Sequence, residues 1–406
     1  MAGEKLVLCD LNKLATDYPF YYNPIFDDFS LELAEKIWQF HQTIPGYKPT
    51  PMVDMKNMAK NLNVGKLWTK DESKRFDLNA YKFLGVSYSL ALELAKDHNV
   101  KDLNWGTLQK LVSGMETKPL LITATDGNHG YALAFAAKLL GCEAIIFMPK
   151  DAVDGRVTRT RALGADVRKM TVGYDDSVIE ARAEADRLGK KRKVMYIQDT
   201  TLDNYWDIPL KIMQGYMTIL VEAWNVGNLD DPANTPTHVF LQVGVGTFSG
   251  GMSGFLVNKM KKLRKKIKII TVEPRGAHCV FRSHKIGDGK LHAMEGDLET
   301  IMAGLNCGVP SGIGWPILKD AATAFLSCDD QVTVSGMKHY FNPIGDDPRV
   351  ISGESGAVSL GALSYVSKYD AEIRKELGID ENSRILLIST EGDTDPEGFI
   401  RICGKP

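Results

Sequence analysis

Glycines and polar side chains recur in this chain where an apolar strand gives way to a helix, the place at which parallel sheets present ligands. Thr125-Asp126-Gly127-Asn128-His129-Gly130 follows the apolar run Leu120-Leu121-Ile122-Thr123-Ala124. The glycines let backbone approach a ligand closely, and the Asp or Asn can equally cap a helix, so both readings stand. His129 has no histidine or carboxylate at metal-ligand spacing and HExxH is absent, which makes a core or supporting histidine the plainer reading. Gly244-Val245-Gly246-Thr247-Phe248-Ser249-Gly250-Gly251 also follows an apolar strand and offers backbone N–H groups to a phosphate. Ser249 stands where a dinucleotide fingerprint has its third glycine, and no Walker lysine follows; phosphate is indicated, a nucleotide is not. A third turn, Ser389-Thr390-Glu391-Gly392-Asp393-Thr394-Asp395-Pro396, reads at Asp393 and Asp395 as a solvated acidic turn, and Ser352-Gly353-Glu354-Ser355-Gly356 is a fourth candidate.

The elements that must hold these turns alternate in type. Strands are expected at 120–124, 144–148, 167–172 and 194–197, with helices at 131–140, 157–163 and 175–188 between them. Such spacing predicts right-handed crossovers in a parallel sheet. A second series follows: a helical stretch over 208–224, a strand at 238–243, a helix from about Met252, a strand at 267–272, a helix at 357–366 and a strand at 384–389. The fold class is α/β with two parallel-sheet domains, and 227–236 and 287–296 are the linker candidates. The basic run 261–266 complements a helix C-terminus better than it fits nucleic acid.

Composition sets the partner class. The 406 residues are 44% hydrophobic, with 49 basic against 51 acidic side chains and a formal net charge of -2. That apolar share excludes disorder, and near neutrality leaves no global field for nucleic acid or an anionic membrane. A small-molecule partner is the expectation. The N-terminus does not read as a secretory signal, and no run reaches the roughly 20 apolar residues of a membrane helix. Six cysteines without CxxC spacing argue against zinc clusters and disulfide scaffolds and point to the reducing cytosol.

Lys70-Asp71-Glu72-Ser73-Lys74-Arg75-Phe76-Asp77-Leu78-Asn79-Ala80-Tyr81-Lys82-Phe83-Leu84-Gly85 resembles the cofactor-lysine segment of the diaminopropionate ammonia-lyases, a family of fold type II pyridoxal phosphate enzymes. Pro45-Gly46-Tyr47-Lys48-Pro49-Thr50-Pro51, the TDGNHG turn, Pro149-Lys150, Ile197-Gln198-Asp199-Thr200, Gly244-Val245-Gly246, Thr300-Ile301-Met302-Ala303-Gly304-Leu305 and 348–356 match it in chain order, from about residue 40 to the end. Four positions depart from the pattern: Asp77 stands where the family usually has glycine, Tyr131 where it often has arginine, and Thr247-Phe248 is atypical of the phosphate loop. They bear on substrate preference, not on the cofactor set.

The resemblance implies a tryptophan synthase β-like fold with the active site between the two domains, a large discontinuous cofactor-binding domain of 1–90 and 205–406, and a small domain of 91–204. It implies pyridoxal 5'-phosphate carried covalently by Lys82, with Asn128 on the cofactor's 3-oxygen, the loop of Gly244, Val245, Gly246 and Thr247 on its phosphate, Glu354 in the cofactor set, and Thr390 on the pyridine nitrogen. A hydroxyl there cannot protonate that nitrogen as a carboxylate would, which favours elimination over transamination. Asp126 stands where related dehydratases and racemases have serine, and so is the implied base for Cα–H of a D-amino acid, with Lys82 serving the L-enantiomer; Asp199 helps hold the substrate. The implied reaction is α,β-elimination of D- or L-2,3-diaminopropionate, in which the substrate displaces Lys82, the β-amino group leaves as ammonia, and the released aminoacrylate hydrolyses to pyruvate and a second ammonia. A homodimer follows from the resemblance alone. The nearest rival is a serine/threonine dehydratase-like lyase, whose lysine segment would read SxKxR where this chain has Ala80-Tyr81-Lys82-Phe83-Leu84. A binding protein on the same fold would be expected to lose Lys82, and a dehydrogenase to keep the third glycine. Cys279 and Cys307 read either as two buried thiols or as a reversible pair near the site entrance.

Overall fold

The structure is a computed structural model describing residues 5–12, 23–96, 98, 100, 102–125, 127–201 and 204–405. It divides into two compact units, one of Met1–Leu33, Pro49–Asn79 and Ile219–Pro406, the other of Ala34–Lys48 and Ala80–Thr218. Among the described residues the first unit holds β1 (Val7–Leu11), β2 (Met52–Asp54), β3 (Lys66–Asp71), β8 (His238–Gln242), β9 (Lys268–Pro274), β10 (Ala324–Cys328) and β11 (Arg384–Ser389), and the second holds β4 (Leu120–Ala124), β5 (Glu143–Met148), β6 (Asp166–Lys169) and β7 (Val194–Tyr196).

The first sheet runs β1-β10-β9-β8-β11-β3-β2, parallel from β10 to β3 with antiparallel strands at both edges. The second runs β6-β5-β4-β7, all parallel. The central strands are apolar runs because helices cover both faces of a parallel sheet: every residue of β8 is buried, and all of β11 except its first. Placing β4, β8 and β11 at sheet centres puts the turns after residues 124, 242 and 389 at carboxyl strand ends.

Several expectations shift. The helix expected from about Met252 begins at Thr247 and runs to Leu263, so most of the glycine loop is its first turn. The glycines had disguised it, yet one further on has a packing reason: a Cβ on Gly254 would lie 2.4 Å from the Phe29 ring. The stretch 208–224 is two helices, Asp207–Gly215 and Thr218–Gly227. Where the first ends, a Cβ on Gly215 would lie 2.6 Å from Leu84 O, so the chain there lies against the helix Phe83–Lys96. The linker candidates 227–236 and 287–296 both lie inside the first unit, and residue 91 lies inside the helix Phe83–Lys96, which stays whole within the second. No helix among the described residues is long and apolar enough to cross a membrane.

Candidate active site

Lys82 lies in the turn that opens the helix Phe83–Lys96, its carbonyl accepting from Val86 N at 3.2 Å. Its Nζ donates to Asp199 Oδ2 at 2.6 Å. Asp199 follows β7 in a segment fixed by Gln198, whose Oε1 accepts from Thr123 Oγ1 at 2.8 Å and from Ala124 N at 2.9 Å, and whose own N–H reaches Tyr205 Oη at 2.9 Å. Gln198 therefore ties the end of β7 to the end of β4. His129, buried in the first turn of the helix Asn128–Leu140, places Nδ1 3.5 Å from the same Asp199 oxygen.

The electrostatics follow from burial and charge. Burial alone would lower Lys82, but the Asp199 carboxylate outweighs it and holds the amine well above its ordinary range. Burial would raise Asp199, and its interactions with the His129 ring and Lys82 instead bring it down to about 2. For His129 burial dominates and lowers it, so the ring is neutral near pH 7 and Lys82 is the cation that keeps Asp199 ionised. Tyr81 packs edge-on against Tyr216, centroids 4.8 Å apart, and Lys82 Nζ lies 5.5 Å from the Tyr81 ring centre.

Asn128 is the first residue of its helix, and its Oδ1 accepts from Arg159 Nη2 at 3.3 Å. The Arg159 guanidinium also lies 4.2 Å from the centre of the Tyr131 ring. At Gly130 an added Cβ would sit 2.5 Å from Ile146 Cγ2, so this helix is pressed onto the sheet and only glycine fits. Asp126 lies outside the described residues.

In the first unit Gly246 has φ +96° and caps the helix Thr247–Leu263 without a side chain. Thr247 is buried in that first turn, Val245 O accepts from Ser311 N at 2.6 Å, and the TIMAGL segment lies close enough that a Cβ on Gly244 would be 3.2 Å from Gly304 O. Thr390, buried just beyond β11, accepts through Oγ1 from Gln242 Nε2 at 2.8 Å. Glu354 opens the helix Glu354–Tyr369, with Oε1 directed toward Gly398. All six cysteines are free thiols; Cys279 is buried and donates to Gly244 O at 3.6 Å.

Each unit offers groups that would suit one part of a phosphorylated aldehyde. Within the first, a 17-residue helix has an N-terminus without a side-chain cap, which favours an anion, and a neutral hydroxyl follows the inner strand β11. Within the second, a lysine sits at a turn beside one carboxylate. Among the described residues no three His, Cys, Asp or Glu side chains group to hold a metal. In sequence Gln198 stands only within the Ile197–Thr200 match, and Arg159 and Gln242 stand in no motif. No local motif marks these, because each acts on a partner distant in sequence.

The family model for pyridoxal-phosphate dependent enzymes matches residues 43–391. The diaminopropionate ammonia-lyase of Escherichia coli K12 is 42% identical over 379 residues, 93% of this chain and 92% of that enzyme. That of Salmonella typhimurium is 38% identical over 372 residues, 90% of each. The crystal structure of the Escherichia coli enzyme in complex with D-serine superposes with a TM-score of 0.87 at 39% identity, covering 98% of this chain and 96% of the other. The fold is thus that of the type II pyridoxal-phosphate enzymes, and the chain belongs to the diaminopropionate ammonia-lyase family.

Proposed function

We infer that this chain is a pyridoxal 5'-phosphate-dependent carbon–nitrogen lyase that eliminates ammonia from both enantiomers of 2,3-diaminopropionate, yielding pyruvate and ammonia. The observation that carries this reading is the Lys82–Asp199 pair at 2.6 Å, in a chain 42% identical to a diaminopropionate ammonia-lyase. Pyridoxal phosphate, when bound, supplies the electron sink that makes Cα–H acidic. Lys82 would hold it covalently, the Gly244–Thr247 turn would take its phosphate, Asn128 its 3-oxygen and Thr390 its ring nitrogen, and Glu354 would complete the set.

Once free, the Lys82 amine takes the Cα proton of the L-isomer at Nζ, and Asp126 takes that of the D-isomer. Asp199, kept ionised, anchors the ammonium groups that come and go beside it. The serine/threonine dehydratase-like reading is weaker, because the lysine segment lacks the SxKxR pattern. A pyruvate-release screen with D- and L-diaminopropionate, serine and threonine tests the assignment; turnover of threonine or L-serine well above both diaminopropionates would overturn it. Borohydride reduction and peptide mapping should place the pyridoxyl label on Lys82. We extend the reading to a cytoplasmic homodimer, on family resemblance for the dimer and on six free thiols for the compartment; light scattering tests the first.

A further inference from the structure

His129 carries an unusual nitrogen. Its Nε2 lies 2.8 Å from Ile197 O, and a carbonyl only accepts, so Nε2 bears the hydrogen. The neutral ring then has a bare lone pair at Nδ1, a buried atom with no hydrogen-bond partner among the described residues. That lone pair faces Asp199 Oδ2 at 3.5 Å, and the same oxygen accepts from Lys82 Nζ at 2.6 Å. A buried acceptor left unmatched costs stability and calls for an explanation.

We propose that His129 Nδ1 is the proton-holding end of a relay, Lys82 Nζ to Asp199 Oδ2 to His129 Nδ1, which takes up a proton whenever Lys82 gives up its ammonium charge. An Nζ–H bond breaks as Oδ2–H forms, and that O–H breaks as Nδ1–H forms; no electrons are exchanged. Asp199 is ionised at both ends of the transfer, paired first with the ammonium and then with the imidazolium. Charge beside the carboxylate is therefore conserved while the lysine passes between cation and neutral base. Among the described residues Asp199 and Lys82 are the charged groups that face the ring, and burial together with Lys82 holds it neutral until the ammonium is gone. His129 acts through Asp199, and is thus a positioning and proton-holding residue rather than one that touches substrate.

The inference rests on Lys82 being the cofactor lysine, but its first test does not need activity. Nitrogen-15 spectra of the full chain, wild type and Lys82→Met, report the ring's protonation directly. The permanent loss of the ammonium should raise the His129 midpoint by about one pH unit or more, tenfold in proton affinity, and Asp199→Asn added to Lys82→Met should cancel the rise. Equal midpoints in wild type and Lys82→Met would overturn the relay. The second test is His129→Gln, which keeps a donor for Ile197 O and loses the proton acceptor. It should lower kcat by about 10² with KM changed much less and alter the kcat–pH profile; an unchanged profile with only a lower melting temperature makes the ring structural. A borohydride label away from Lys82 would instead remove Lys82 as the cofactor lysine and with it the relay's part in the reaction, whatever the spectra show of the ring.

Discussion

The proposed function assigns Asp126 and Lys82 opposite stereochemical tasks, and one substitution separates them. Asp126→Asn keeps size and most hydrogen bonds but takes no proton, so kcat/KM for D-diaminopropionate should fall by about 10² to 10⁴ while the L-isomer, served by Lys82, falls far less. If Asp126 only caps the helix, both isomers lose equally and stability drops by about 1 kcal/mol. A second residue carries a pH signature. His238 is buried at the start of β8, its Nε2 donating to Leu377 O at 3.1 Å and its Nδ1 2.7 Å from Thr237 Oγ1, and burial lowers it to about 4. With the folded value below the unfolded one near 6.5, its stabilisation is complete above pH 6.5 and is lost as pH falls through that window toward 4. Denaturant melts at pH 7 and 4.5 should show an acid loss in wild type about 2 kcal/mol larger than in His238→Gln, and equal losses would refute it. Lys82, Asn128 and Thr390 stand out in sequence as candidates because each sits in a motif, whereas the nearness of His129 to Asp199, 70 residues apart in sequence, arises only when β4 and β7 pair.

Among the elements, the helix Thr247–Leu263 shows what sequence conveys and what it hides. Its glycines were read as a phosphate loop, and that turn does stand at the strand end, but the helix starts five residues earlier than its apolar pattern implied. Glycine lowers helix propensity, so packing against Phe29 overrides it here. Gly246 is the residue the turn cannot lose: at φ +96° a side chain is strained, and a Cβ would press on Leu318 Cδ1 at 3.2 Å. Gly246→Ala should cost about 1–2 kcal/mol in stability, and should weaken binding of pyridoxal phosphate much more than that of pyridoxal, as read by absorbance titration. Equal weakening of both ligands would remove the turn from phosphate binding. The segment before Lys82 was legible in another way. Asp77 has φ +58°, between Phe76 at +52° and Asn79 at +63°, a backbone conformation that glycine adopts without strain.

At the scale of the molecule, the chain leaves the first unit after Leu33 and after Asn79 and re-enters it at Pro49 and Ile219, and a buried charge cluster in that unit joins the segments near Pro49, Asn79 and Ile219. Arg75 donates to Glu72 Oε2 at 2.9 Å and Glu222 Oε1 at 2.7 Å, Lys70 Nζ donates to Glu222 Oε2 at 2.6 Å, and Thr50 Oγ1 donates to Glu72 Oε1 at 2.6 Å. The side chains of Lys70, Glu72, Arg75 and Glu222 are fully buried, two cations against two carboxylates. Sequence displayed three of the four as part of the lysine segment, but nothing marked Glu222, inside an apolar helix 147 residues after Arg75, as their counter-charge. A complete cluster adds little net stability because desolvation offsets attraction, yet removing one member strands a charge in the interior. Glu222→Gln leaves Lys70 and Arg75 with Glu72 alone, and should lower unfolding free energy by about 3–5 kcal/mol. Replacing Lys70 by Met in the same chain restores neutrality and should recover part of that loss. Chemical denaturation of the two variants decides the matter: a Glu222→Gln loss below about 1 kcal/mol, or no recovery in the double variant, would mean that water or neighbouring groups screen the cluster and that it does not lock the three segments.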